Sequence, residues 1–316
     1  MINCYYASEI DKYACQISRR NWPDIEQIGD VKKVDGKDYR GVDLLLGGSP
    51  CQGFSYAGRQ LNFDDPRSAL FFEFVRIKEE CRPRYFLFEN VPMNQEIENV
   101  ISDLLGVQPI KINSGLVSAQ NRKRSYWTNI PGIRQPKDRG IMLESVVHPD
   151  ALVDRDKAHA IIASVGRTTT REYFLKNQGQ LVYRSVMLSN VYGGFKEGKP
   201  RVHVGKSVTL RTPAGGGHIP SLVINGKTKD FSLDELKDVT RKVTPEECER
   251  LQTLPEGYTR GVSDTQRYKA TGNGWTVDVI SHILSGIPHS AHSLAQPSAL
   301  QQRAKISKLD DFYEVA

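Results

Sequence analysis

The chain has 316 residues, of which 39% are hydrophobic and 25% charged, ordinary globular proportions that exclude wholesale disorder. No apolar stretch approaches the roughly eighteen residues of a spanning helix, the N-terminus MINCYYASEIDKYACQ lacks the pattern of a signal peptide, and no membrane partner is expected. Five cysteines without a CxxC pair argue against a disulfide framework or a cysteine-rich metal site and fit a cytoplasmic protein, while a net charge of +6 permits a polyanionic partner.

In chain order, the first clear strand is VDLLL at 42–46, followed by Gly47-Gly48-Ser49-Pro50-Cys51-Gln52-Gly53-Phe54-Ser55. Residues 66–82 (PRSALFFEFVRIKEECR) repeat apolar side chains at a helical period after a proline start, and YFLF at 85–88 reads as a second strand. Strand, helix, strand at this spacing is a βαβ unit of a parallel sheet, and ligands of such sheets gather at the carboxyl ends of the strands. A glycine-rich, basic region follows. Between Arg155 and Lys229 thirteen Lys or Arg stand against three acids, an excess of ten positive charges in a chain whose total is +6. With short β-rich pieces (LVYRSVML, SLVIN) and interleaved Tyr173, Phe174, Tyr183, Tyr192 and Phe195, this reads as a strand-and-loop insertion. A surface for the phosphate backbone is favoured over a merely solvated basic face. From about His289 the chain is a polar tail.

Chemistry concentrates at the two strand ends. Cys51, on a loop fixed by Pro50, is placed for a nucleophile, with a buried structural cysteine as the competing reading. Glu89-Asn90-Val91 ends the second strand, and a carboxylate left there needs a partner, a proton or a substrate. A cysteine and an acid from neighbouring strand ends suit covalent catalysis with proton transfer.

The ordered segments GGSPCQGFS, PRSALFFEFVRI, FLFENV, VSAQNRKRSYW, RKVTPEECERLQTLPEGYT and YKATGNGWTVDVISHIL resemble the cytosine-5 DNA methyltransferases. Their wording is most similar to the animal de novo subgroup and its phage and bacterial relatives. The resemblance implies that Cys51 attacks carbon 6 of a flipped-out cytosine and that Pro50 holds its loop. Glu89 would meet ring nitrogen N3, Asn90 would orient the site, and Arg124 would reach the cytosine carbonyl, supported by Arg122 and Gln120. S-adenosylmethionine is the implied methyl donor. Glu9 resembles the acid for its ribose and Ile10 a wall for its adenine. Asp30 matches the residue for the adenine amino group, Leu70 lies where the family touches the adenine from the helix side, and Asn273, Gly274 and Trp275 match the methionine end.

One family feature is missing: no Phe-x-Gly-x-Gly turn precedes Glu9. Three expectations follow: a longer natural chain, a second polypeptide supplying the element, or an inactive relative that binds DNA only. The architecture expected is α/β, a Rossmann-like, doubly wound and mostly parallel sheet lacking its first strand and glycine turn. Residues 1–136 and 240–290 would form the catalytic domain, 137–239 the target-recognition region and 291–316 the tail. Double-stranded DNA is the expected substrate, with an RNA cytosine as the alternative; the basic insertion favours DNA.

Overall fold

The computed structural model describes residues 4–49, 69–149, 151–184, 186–189, 201–204, 221–222, 237 and 240–288. In chain order the elements up to the basic region are β1 (Tyr6–Ala7), α1 (Lys12–Asn21), β2 (Glu26–Gln27), β3 (Leu44–Gly48), α2 (Ala69–Cys81), β4 (Tyr85–Asn90), α3 (Gln95–Leu105), β5 (Ile110–Asn113), β6 (Gln120–Asn121) and β7 (Lys123–Thr128). There follow β8 (Ala151–Leu152), β9 (Ala158–His159), α4 (Thr170–Lys176), β10 (Leu181–Arg184), β11 (Val186–Ser189), β12 (Arg201–Val204), β13 (Ser221–Leu222), β14 (Thr240–Lys242), α5 (Pro245–Leu251), α6 (Asp264–Asn273) and α7 (Val277–Leu284). By packing the chain falls into two units. One comprises the described residues of Met1–Asn113, Lys123–Pro136 and Val279–Ala316, the other those of Ser114–Arg122 and Lys137–Asp278.

The first unit holds two parallel βαβ pieces. Asp11 starts α1 by accepting from the amides of Tyr13 and Ala14, and the helix returns the chain so that β2 lies parallel to β1. The βαβ unit read from the sequence is present as β3, α2 and β4, with Leu46 opposite Leu87 and Gly48 opposite Glu89. The sheet order is β3-β4-β7-β5; β7 runs antiparallel to both neighbours, so β3, β4 and β5 share one direction. This is the expected mostly parallel α/β arrangement. Among the described residues, β1 and β2 form a sheet separate from these four strands.

Burial explains the order. Phe86 and Phe88 of β4 and Trp127 of β7 point to one face, where Phe71 and Phe74 of α2 and Ile97, Ile101 and Leu105 of α3 close over them. The Phe74 and Phe88 rings lie 5.0 Å apart, the tilted contact that aromatic cores favour. A Cβ on Gly47 would stand 2.5 Å from the Phe74 ring, so α2 can lie this close to β3 only over a glycine.

The second unit packs Leu143, Ala158, Ile161, Val165, Val182, Val243, Cys248 and Leu251 into one core. Its sheets are short: β14-β10-β8 and β12-β11-β13, both antiparallel, and the parallel pair β6-β9. LVYRSVML, read as a β-rich piece, supplies β10 and β11. Helix α4 was not expected. It starts on a capping box, in which Thr169 accepts from the Glu172 amide and Glu172 bonds back to Thr169. Packing divides the chain differently from the sequence boundaries at 136 and 240. The described residues of 240–278 pack with those of 137–239, because β14 pairs with β10 and Val243, Cys248 and Leu251 enter that core. Among the described residues, no helix is long and apolar enough to cross a membrane.

Candidate active site

Glu89 occupies the carboxyl end of β4, between β3 and β7, and is 9% exposed. Directly opposite it on β7 stands Tyr126; Arg124, two residues along and on the same face, reaches it diagonally. Arg124 Nε lies 2.8 Å from Glu89 Oε1, both side chains nearly buried. A second guanidinium nitrogen of Arg124 donates to the carbonyl of Lys123 at 2.8 Å. A carboxylate at a buried strand end thus has the opposite charge beside it, as its desolvation requires. The two side chains that the resemblance assigns to one base are together.

Asn90 turns to the other face and holds the neighbouring strand end. Its amide donates to the carbonyl and the hydroxyl of Ser49, each at 3.2 Å, and its own oxygen accepts from the Val91 amide at 2.8 Å. Ser49 follows β3 and stands two residues before Cys51. Pro50 and Cys51 themselves lie outside the described residues.

Beneath this strand end sits an acid that the sequence reading did not single out. Glu98 of α3, nearly inaccessible, pairs with Lys111 Nζ at 2.8 Å and accepts from the Ser125 hydroxyl at 3.1 Å. Burial pushes its carboxyl upward, but Lys111, the Met93 amide and Ser125 outweigh that and hold it below the usual carboxylate value. Ser125 lies opposite Asn90 and also opposite Lys111, so this cluster braces the three strands that carry the site.

Other site candidates of the first unit gather at the ends of β1 and β2. Glu9 follows β1, and its Oε1 accepts from the amides of Ile10 and Asp11, both at 2.8 Å. Ile10 is 77% exposed, an apolar side chain bared beside a fixed carboxylate. Asp30 follows β2 and caps a short turn through the Lys32 amide at 3.0 Å; Ser8 joins the two strand ends by donating to the Gly29 carbonyl at 2.7 Å. Because β1 and β2 are parallel neighbours, Glu9 and Asp30 leave the sheet at the same end. A fixed acid, a second acid and an uncovered apolar surface suit a nucleoside, whose sugar is a diol and whose base is flat. Leu70 lies half-buried in the first turn of α2.

Gln120, Arg122, Asn273, Gly274 and Trp275 belong to the second unit. Arg122, buried, donates to the carbonyls of Ile161 (2.7 Å), Gly272 (3.2 Å) and Gly274 (3.0 Å). Its cation therefore meets the negative end of α6, whose last carbonyls lack partners within the helix. A Cβ on Gly272 would lie 2.2 Å from the backbone of Ile162 and Ala163, so no other residue fits there. Asn273 is exposed, and Trp275 is half-buried. Gln120, fully buried, donates to the carbonyl of Leu251 at 2.5 Å and to Gln252 Oε1 at 2.9 Å, and accepts from the Ile161 amide at 3.2 Å. The sequence reading missed Gln252, Thr276 and Ser49; a polar residue inside the otherwise amphipathic ECERLQTL was the available signal for the first.

The basic region is corrected in one respect. Tyr173, expected among the aromatics facing DNA, is 1% exposed. Its hydroxyl donates to Asp154 at 2.5 Å, and the Arg155 guanidinium lies 4.7 Å over its ring, so it serves the core. Tyr192 and Phe195 lie outside the described residues.

A sequence profile of the C-5 cytosine-specific DNA methylases matches residues 1–103 and 115–289. The type II methyltransferase M1.ScrFI of Lactococcus lactis subsp. cremoris is 33% identical over 307 residues, an alignment covering 89% of this chain and 71% of that one. M.HhaI of Haemophilus parahaemolyticus, also a type II methyltransferase, is 28% identical over 310 residues, covering 91% and 88%. Among solved structures, the Entamoeba histolytica methyltransferase EhMeth aligns with a TM-score of 0.58 at 15% identity, covering 90% of this chain and 88% of that one, a likeness of fold. With a profile matched along most of its length and a paired acid and arginine at the strand ends, the chain belongs to the C-5 cytosine-specific DNA methylase family.

Proposed function

We propose that the chain transfers a methyl group from S-adenosylmethionine to carbon 5 of a cytosine flipped out of duplex DNA, through a covalent bond to Cys51. The observation that carries this reading is the Glu89–Arg124 pair, with Asn90 holding Ser49, two residues before Cys51 in the sequence. Cys51 Sγ, as thiolate, adds to carbon 6 while Glu89 meets N3 and Arg124 the carbonyl oxygen, so electron density moves to carbon 5. The donor, when bound, would supply an electrophilic methyl group that bonds to carbon 5 as its sulfonium leaves as a neutral thioether. Loss of the carbon 5 proton then expels Cys51 Sγ and restores the ring. Pro50 would stiffen the loop, and Asn90 is a positioning residue.

Glu9, Ile10 and Asp30 are the residues proposed for the nucleoside of the donor, with Leu70 beside the adenine. Asn273, Gly274 and Trp275 are proposed for its methionine end. Gln120 and Arg122, four and two residues before Arg124, are proposed as its supports. Residues 137–239 are proposed as the target-recognition region, and bacterial relatives support action in the cytoplasm.

The test incubates the protein with radiolabelled S-adenosylmethionine and unmethylated duplex. Label should appear in the DNA, and Cys51→Ser should abolish transfer while duplex binding persists. Loss of both would point to a structural cysteine. Label in RNA alone would replace the substrate.

A further inference from the structure

The second unit contains a buried polar hub that the chemistry above does not use. Gln252, fully buried after α5, makes four side-chain hydrogen bonds. Its Nε2 donates to the carbonyls of Thr271 (2.6 Å) and Gly274 (3.1 Å). Its Oε1 accepts from Gln120 Nε2 (2.9 Å) and Thr276 Oγ1 (2.8 Å), and Thr276 Oγ1 in turn accepts from the Ser114 hydroxyl at 2.9 Å. An amide has two donor hydrogens and two acceptor sites, and all are used. Only one orientation works, because Thr271 and Gly274 present carbonyls and can meet nothing but the NH2 group. The backbone contributes as well: the Val277 amide donates to the Gln252 carbonyl at 3.0 Å, and Thr253 Oγ1 accepts from the Asp278 amide at 2.9 Å at the start of α7. Thr253 adopts φ of 56°, a strained conformation for a β-branched residue.

These bonds grip the turn between α6 and α7 at Thr271, Gly274 and Thr276. Asn273 and Trp275 lie between the gripped positions, so a shift of either strains one of these bonds. We propose that Gln252 is a positioning residue for the methyl donor, fixing the Asn273–Trp275 turn by clasping its carbonyls and the Thr276 hydroxyl. This rests on the reading that the turn takes the methionine end of the donor. Without the amide, the Thr271 carbonyl loses this buried partner and the Gly274 carbonyl keeps Arg122, so the turn relaxes and the donor meets a less ordered wall.

The test compares wild type with Gln252→Met, Gln252→Glu and Thr276→Val in the full chain, measuring kcat, KM for S-adenosylmethionine, KM for an unmethylated duplex, and Tm. Gln252→Met should raise the KM for S-adenosylmethionine about tenfold, the scale of one or two lost buried hydrogen bonds, with the duplex KM within about twofold. Gln252→Glu, setting a carboxylate against two carbonyls, should raise it further. Thr276→Val should raise the same constant by about threefold and add nothing when combined with Gln252→Met. An unchanged donor KM, a loss confined to kcat, or donor and duplex KM rising together would each overturn the proposal. Should the Gln252 variants fail to fold, Thr276→Val decides by the same readings. A wild-type protein that transfers no label from S-adenosylmethionine sinks the functional reading and this proposal with it; an active wild type with unmoved donor KM in the variants sinks this proposal alone.

Discussion

Glu89 and Arg124 pair at a nearly buried strand end, so deleting either one takes a charge-assisted bond from the other. Arg124→Met should destabilise the protein by about 3 kcal/mol in urea unfolding, and adding Glu89→Gln should return part of that loss, since the second change removes a nearly buried charge whose guanidinium partner has gone. Recovery absent from the double variant would show that the pair matters little to stability. Glu98 and Glu247 give a pH dependence. Burial pushes each upward, but Lys111 with the Met93 amide and Ser125, and Arg241 with the amides of His148 and Thr244, hold both below the usual value. The unfolded chain therefore takes up protons first as the pH falls. The stabilisation from these carboxylates is complete above their unfolded pKa, about 4.3, and disappears as the pH drops through the lower folded values. Urea midpoints measured from pH 7 to pH 3 should fall most steeply below about pH 4, and Glu98→Gln should flatten that limb.

Elements rest on contacts of known tightness. Gly47→Ala drives a methyl group into the Phe74 ring, and α2 must lift from β3; the expected cost is about 2 kcal/mol, read as a lower Tm. Thr244→Ala removes the capping box of α5 and should cost about 1 kcal/mol by the same assay. Much of this level is legible in the sequence. LLLGG and YFLFEN are apolar runs ended by glycines and by polar residues respectively, and ALFFEFVRI repeats at the helical period, so β3, β4 and α2 declare themselves locally. Helix α4 does not, because TREYFLK is short and its start signal, a threonine three residues before a glutamate, sits in a polar stretch. The Glu89–Arg124 contact depends on the diagonal register of β4 and β7, which neither strand encodes alone. Gln252 is harder still: a buried glutamine is stable only through partners at 120, 271, 274 and 276, far away in sequence.

Across the whole molecule, charge is unevenly placed. The ten-charge excess between Arg155 and Lys229 predicts duplex affinity that falls steeply with salt. Replacing Lys196, Lys199 and Arg201 together by alanine should shrink the slope of log K against log salt by about 0.9 for each residue that meets a phosphate, with binding of S-adenosylmethionine unchanged. A slope equal to wild type would move the DNA surface elsewhere. The antiparallel ladder between β10 and β14 has its own consequence. It joins Tyr183 to Thr240 and so closes the ends of a long stretch of chain on each other. Closing a loop costs entropy that grows only with the logarithm of its length, about 0.6 kcal/mol for each doubling. What lies between these strands can therefore lengthen, shorten or change in composition at little expense to the rest. With residues 137–239 reading the DNA, as proposed above, a protein built this way would acquire a new target as a cassette, inherited between two strands that do not need to change.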